Sequence, residues 1–92
     1  MGNYSDKISY DKFQHPDWER YHSVIVKNIS RDEITVVAID DQNDNRQVKI
    51  PPQDLVKFNF CDTVEKVYII IPLPQGFASK WVPINSFVVY MF

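Results

Sequence analysis

The stretch that decides the fold is Ile34-Thr35-Val36-Val37-Ala38-Ile39, then Asp40-Asp41-Gln42-Asn43-Asp44-Asn45, then Gln47-Val48-Lys49-Ile50. The first six residues are β-branched or small and largely apolar on both faces of a two-residue period. That pattern predicts a strand lying centrally in a sheet or under a second layer. The second six open the longest unbroken polar run in the chain and are rich in the residues that favour turns. With a second alternating segment behind them, they predict a β-hairpin loop.

Working outward, Tyr21 to Ile29 alternates around Val24-Ile25-Val26 and predicts a strand, with Ser30-Arg31-Asp32 as the turn after it. Pro51-Pro52 closes the strand that ends at Ile50, because proline donates nothing to a ladder. Residues 52–55 have the proportions of one 3₁₀ turn, with Leu55 and Val56 expected to point inward. Val64 to Ile71 is a further strand whose Tyr-Ile-Ile-Ile end demands cover on both sides. Pro72-Leu73-Pro74-Gln75-Gly76 is a rigid turn. Residues 77–84 hold Trp81 and Pro83 and are expected to be irregular or an edge strand. Ser86 to Phe92 is the last strand, and its apolar end predicts pairing in the sheet or against another chain.

Upstream, Ser5 and Asp6 suit the start of a short helix, and Pro16 with Asp17 suits a second single turn to Tyr21. The expected fold is therefore α+β and mainly β, one domain over residues 1–92. It joins a short N-terminal helical segment to a curved antiparallel sheet or small barrel of about five strands.

Composition narrows the function classes. Of 92 residues, 45% are apolar, enough for one core. The single cysteine, Cys61, has no internal disulfide partner, so a reducing compartment is expected. Charges in the opening MGNYSDKISYDKF stand where a signal peptide needs an apolar run, and Asp6 breaks a myristoylation pattern. No stretch is long enough to span a membrane, so the expected location is cytoplasmic. Net charge is −2, which leaves no basic footprint for direct nucleic-acid binding. Eight of the twelve acids fall between positions 32 and 65: Asp32, Glu33, Asp40, Asp41, Asp44, Asp54, Asp62 and Glu65.

No catalytic, cofactor-binding or metal-ligating set emerges from the residues. Cys61 lacks an activating neighbour and is expected to pack as a small, inert hydrophobe. His15 and His22 lack paired ligand spacing. Asp40-x-Gln42-x-Asp44 begins like a calcium loop, but Asn45 stands where glycine is needed and Pro51 where a bidentate glutamate is needed. The two glycines, Gly2 and Gly76, build no phosphate loop. Acid/base work would want a carboxylate in apolar surroundings, and Glu65 beside Lys66 reads as a sheet surface. The aromatics have aliphatic rather than basic neighbours, so core packing is favoured over base stacking. An apolar remainder at Tyr90 and Phe92 is expected to form a dimer edge.

In its length, its opening MGNYSDKISYDKF and its Asn/Asp/Lys/Ile/Tyr texture, the whole chain resembles the Arn family of small anti-restriction proteins of T-even bacteriophages. That resemblance implies a non-enzymatic phage protein acting in the host cytoplasm. Its implied partner is the host modification-dependent endonuclease McrBC, or another host DNA-binding protein. The implied mode is DNA mimicry by a homodimer whose carboxylates stand in for phosphates, with the eight acids above as the candidate contacts. The small net charge departs from what a strong mimic should carry. The other class open to a small β domain is an adaptor or assembly subunit that binds a peptide or protein partner.

Overall fold

The computed structural model describes residues 2–12 and 22–91. Its strands, in chain order, are β1 (Gly2–Asn3), β2 (Ile8–Lys12), β3 (Ser23–Asn28), β4 (Ile34–Asp40), β5 (Asn45–Ile50), β6 (Leu55–Asn59), β7 (Lys66–Leu73), β8 (Gly76–Pro83) and β9 (Ser86–Tyr90). They form a five-stranded sheet, β1-β8-β7-β4-β5, and a four-stranded sheet, β2-β9-β3-β6.

The hairpin expected around the Asp/Asn run is present. β4 and β5 pair antiparallel with Val36 opposite Val48 and Ile39 opposite Asn45. Asn43 takes a positive φ of 65°, which asparagine tolerates better than most side chains. Every second residue of β4 (Ile34, Val36, Ala38, Asp40) is buried and the intervening ones are half-buried. Ala38 is paired with Ile69 of β7, and Ile69 in turn with Lys80 of β8, so one row crosses the inner face. The four-stranded sheet supplies Ile8, Val24, Val26, Phe58, Val88 and Tyr90 to the same core. Lys80, half-buried on the inner face, spans the layers by donating to the Ile8 carbonyl at 2.8 Å.

Several expectations are corrected. In place of an N-terminal helix there is one 3₁₀ turn, Ser5–Lys7, because the residues after it are taken into β2 by pairing with β9. The second turn expected at Asp17 to Tyr21 lies outside the described residues. The sheet is not purely antiparallel: β9 lies between β2 and β3 and runs parallel to β3, as β1 does to β8. Among the described residues the sheets do not close into a barrel. Pro51 and Pro52 end β5 and lead the chain to β6 in the other sheet, and Gln53 turns it at φ 67°. Leu55, expected inside, is exposed, while Phe58 faces the core. Of the two readings of residues 77–84, the strand is the one found: β8 is paired along its length with β7, and β1 covers its other side only at Gly76 and Phe77. Among the described residues no helix is long and apolar enough to cross a membrane.

A single buried amide joins the two sheets at one end. Asn28, at the end of β3, donates through Nδ2 to the carbonyls of Asp32 (2.8 Å) and Ile50 (3.0 Å). Its Oδ1 accepts from the Ser30 amide (2.9 Å) and the Ser30 hydroxyl (2.6 Å). All four capacities of the side chain are used. Replacing Asn28 with Ala strands several buried polar groups at about 1–3 kcal/mol apiece. We expect a loss of about 3 kcal/mol in urea denaturation, and a smaller one for Ser30→Ala. Equal, sub-kilocalorie losses in both variants would contradict the assignment.

Candidate functional site

β4 carries acids at both of its ends, and its seven residues hold them apart by about 20 Å. At one end, the Asp41–Asp44 loop meets the turn at residues 61–65. Asp41 Oδ2 accepts from the amides of Glu65 (3.0 Å) and Lys66 (3.4 Å). Gln42 Nε2 donates to the Thr63 hydroxyl. Two loops far apart in sequence are locked together, and Asp41, Asp44, Asp62 and Glu65 gather on them, all exposed. Asp62 Oδ1 stands 3.9 Å from His22 Nδ1, with 96% of the Asp62 side chain exposed.

Asp40 does not belong to this anionic surface. It is buried, and its Oδ1 accepts from the Gln42 amide (2.8 Å) and the Asp44 amide (3.1 Å). Its carboxylate closes the hairpin loop from inside, so the first residue of the Asp40-x-Gln42-x-Asp44 run is committed to backbone N–H groups. Asp32, Glu33 and Asp54 lie at the opposite end. Asn28 binds the Asp32 carbonyl with its side chain and the Asp54 carbonyl with its amide. Asp54 Oδ1 also accepts from the Leu55 amide at 2.8 Å. The eight acids therefore divide into four at one end, three at the other and one in the interior.

The expected dimer edge is placed differently. Tyr90 is 1% exposed and sits in β9, flanked on both sides by other strands, so its side chain belongs to the core. Phe92 lies outside the described residues. Cys61, expected to be buried, is exposed in its turn, with Gln42 Oε1 at 3.9 Å and the Thr63 hydroxyl at 3.8 Å from its sulfur. Among the described residues no three His, Cys, Asp or Glu side chains converge as metal ligands, and His15 lies outside them.

One surface was not anticipated. The outer face of the five-stranded sheet carries Trp81, Tyr68 and Ile39 in one cross-strand row and Ile70 and Val37 in the next. Trp81 is 47% exposed, and the other four are half-buried. Tyr68 lies 5.0 Å from Trp81 between ring centroids, and its hydroxyl is 2.8 Å from that of Ser79. Lys66 Nζ sits 4.9 Å over the Trp81 ring. By register the outward positions of β4, β5, β7 and β8 include Lys49 and Lys66 and no carboxylate. The signal is present in the alternation of Val37/Ile39, Tyr68/Ile70 and Phe77/Trp81, but an irregular segment or edge strand over residues 77–84 gives no face to join to the other strands.

Comparison with protein families, with curated proteins and with solved structures gives no match for this chain.

Two expectations separate structural from exposed groups. Asp40→Ala should cost about 2 kcal/mol in denaturant unfolding, since it removes the charged acceptor of two loop amides. Asp44→Asn should stay within about 0.5 kcal/mol. Burial, and after it the carboxylate of Asp32, raise the Tyr90 hydroxyl above the ordinary tyrosine value of 10.0. The unfolded chain then loses this proton first. The stability Tyr90 contributes is complete below about pH 10 and is lost as pH climbs toward the higher folded value. Melting temperatures followed from about pH 8 to about pH 11 should fall less steeply in Tyr90→Phe than in the natural protein.

Proposed function

We propose that this chain is a phage anti-restriction protein that inhibits a host modification-dependent endonuclease by protein–protein contact in the host cytoplasm. In this reading McrBC, or another host DNA-binding protein, is the partner, and carboxylates occupy places that DNA phosphates would take. The resemblance of the chain to the Arn family supplies the partner. The observation that carries the mode is the group of Asp41, Asp44, Asp62 and Glu65 on two interlocked turns. Acids fixed on a rigid frame can meet a basic cleft without first paying to order themselves. A homodimer would present two such ends and extend the row. Asp32, Glu33 and Asp54 add a second anionic patch at the far end of each copy, while Asp40 serves the fold.

A second reading, a small β adaptor or assembly subunit, draws on the half-exposed apolar face around Trp81 and Tyr68. Aromatic anchors of this kind are over-represented where protein interfaces concentrate their binding energy.

Cleavage of modified DNA by the endonuclease, measured with increasing amounts of inhibitor, separates the two. A variant carrying Asp41→Asn, Asp44→Asn, Asp62→Asn and Glu65→Gln should need at least tenfold more protein for half-inhibition, about 1.4 kcal/mol of lost affinity. Its salt dependence should also flatten. Unchanged potency and salt slope, in a variant whose melting temperature is retained, would overturn mimicry at this end. Inhibition lost instead in Trp81→Ser/Ile70→Ser would move the contact to the sheet face.

A further inference from the structure

At the end of the sandwich away from the Asp41–Asp44 loop, a cavity of about 410 Å³ opens between residues 30–34 and the turn at residues 72–75. Its size is that of a small-ligand site. Tyr90 is the deeply buried part of its lining.

Both walls are held before any ligand arrives. On one side Asn28 binds Ser30 and the Asp32 carbonyl, so that loop is tied to the core. On the other, Pro72 and Pro74 fix the backbone of the turn. The chemistry of the walls is divided. Ile34, Pro72, Leu73 and Pro74 give an apolar channel. Among the charged residues of the lining, two acids, Asp32 and Glu33, stand to one base, Arg31. The hydroxyl of Tyr90 is a neutral group here, as any tyrosine is at neutral pH, and burial and then Asp32 move its titration further up. An excess of carboxylate repels anions, and an apolar channel suits an aliphatic stem.

We propose that this cavity binds an ammonium or guanidinium group carried on an aliphatic stem, with the cation at Asp32 and Glu33 and the stem along Leu73 and the two prolines. Two sources share that chemistry: a lysine or arginine side chain of a protein, and a free aliphatic diamine. The inference is independent of the anti-restriction reading, because the endonuclease takes no part in its test.

The test is a titration of the full chain, followed by backbone amide NMR shifts. The probes are N-acetyl-lysine methylamide, N-acetyl-arginine methylamide, 1,4-diaminobutane and the neutral N-acetyl-norleucine methylamide. Saturable shifts confined to residues 31–34 and 73–76 are expected with the cations. Binding should be at least tenfold weaker for the norleucine derivative, and weaker by a similar factor in Asp32→Asn/Glu33→Gln. Tighter binding of the blocked amino acids than of the diamine assigns the site to a protein side chain, and the reverse order assigns it to a free amine. Equal binding of the neutral probe, no saturable shifts, or undiminished binding in a double variant with an unchanged core spectrum would overturn the proposal. A pocket that fails this test leaves the endonuclease assay untouched, and a failed endonuclease assay leaves the pocket standing.

Discussion

The amide of Asn28 is the constraint on which most of the architecture depends. It lies in the four-stranded sheet, yet it binds the carbonyl of Ile50 in the other sheet and the carbonyl of Asp32 on the loop between them. Its backbone takes part as well, donating to Asp54 and accepting from Gln53. Two connections, β3 to β4 and β5 to β6, therefore meet at one buried residue. Burial of each large apolar side chain contributes about 1.5–3 kcal/mol, more than any single hydrogen bond here. That burial penalises a one-residue slip, which would exchange the inner and outer faces of a strand, but it discriminates less against a slip of two, which keeps them. A fully satisfied amide in the interior tolerates only one arrangement of its carbonyl partners, so it selects the register that burial alone leaves open.

The opposite end is held by carboxylates, and this changes how the charge of the chain should be read. Asp40 turns inward to the amides of its own loop, and Asp41 joins that loop to the start of β7. Part of the acidic run is thus structural. Of the other six acids between positions 32 and 65, three lie at each end, and none occupies an outward position of β4, β5, β7 or β8. The two ends are separated by about 20 Å, more than twice the Debye length of about 8 Å at physiological ionic strength. They act as separate patches, and net charge is a poor guide to either.

How much of this the sequence disclosed depends on whether the signal was local. The β4–β5 hairpin was legible because Ile34 to Ile39, the Asp/Asn run and Gln47 to Ile50 are contiguous. Val64 to Ile71 was likewise legible as a strand, but its Tyr-Ile-Ile-Ile end is covered fully on one side only, with Tyr68 and Ile70 half-buried on the other. Alternation reports a face and never a neighbour, which is why the parallel insertion of β9 beside β3 was not foreseen. Tyr90 was read as an edge because it lies near the last residue, whereas the strand that carries it is internal to its sheet. Ser5 and Asp6 are good helix-start residues, but so short a segment has little helical stability of its own. Pairing of Ile8 with Tyr90 and Ser9 with Val89 outweighs it. Cys61 was misjudged from the general habit of cysteine to pack inside, while its place in a turn was set by residues remote from it. The four carboxylates of the candidate site were all named from sequence, but their meeting on two turns depends on Asp41 reaching Glu65 across 24 residues.

Segregating charge from apolar surface gives the molecule two kinds of contact with different kinetic consequences. Exposed carboxylates act at a distance, so they raise the rate of encounter with a basic partner and lose influence as salt rises. They contribute little to the lifetime of a complex unless they are dehydrated in it. Trp81, with Tyr68 on one side and Lys66 over its ring, has the opposite character. It exerts no long-range pull, but removing it from water stabilises the bound state and slows dissociation. An inhibitor that competes with a polyanion for a basic cleft has to arrive quickly and must also stay. In a sandwich this small, ends and faces can divide those tasks without sacrificing the core: among the described residues, Asp41, Asp44, Asp62 and Glu65 lie at one end and Trp81 and Tyr68 on a face.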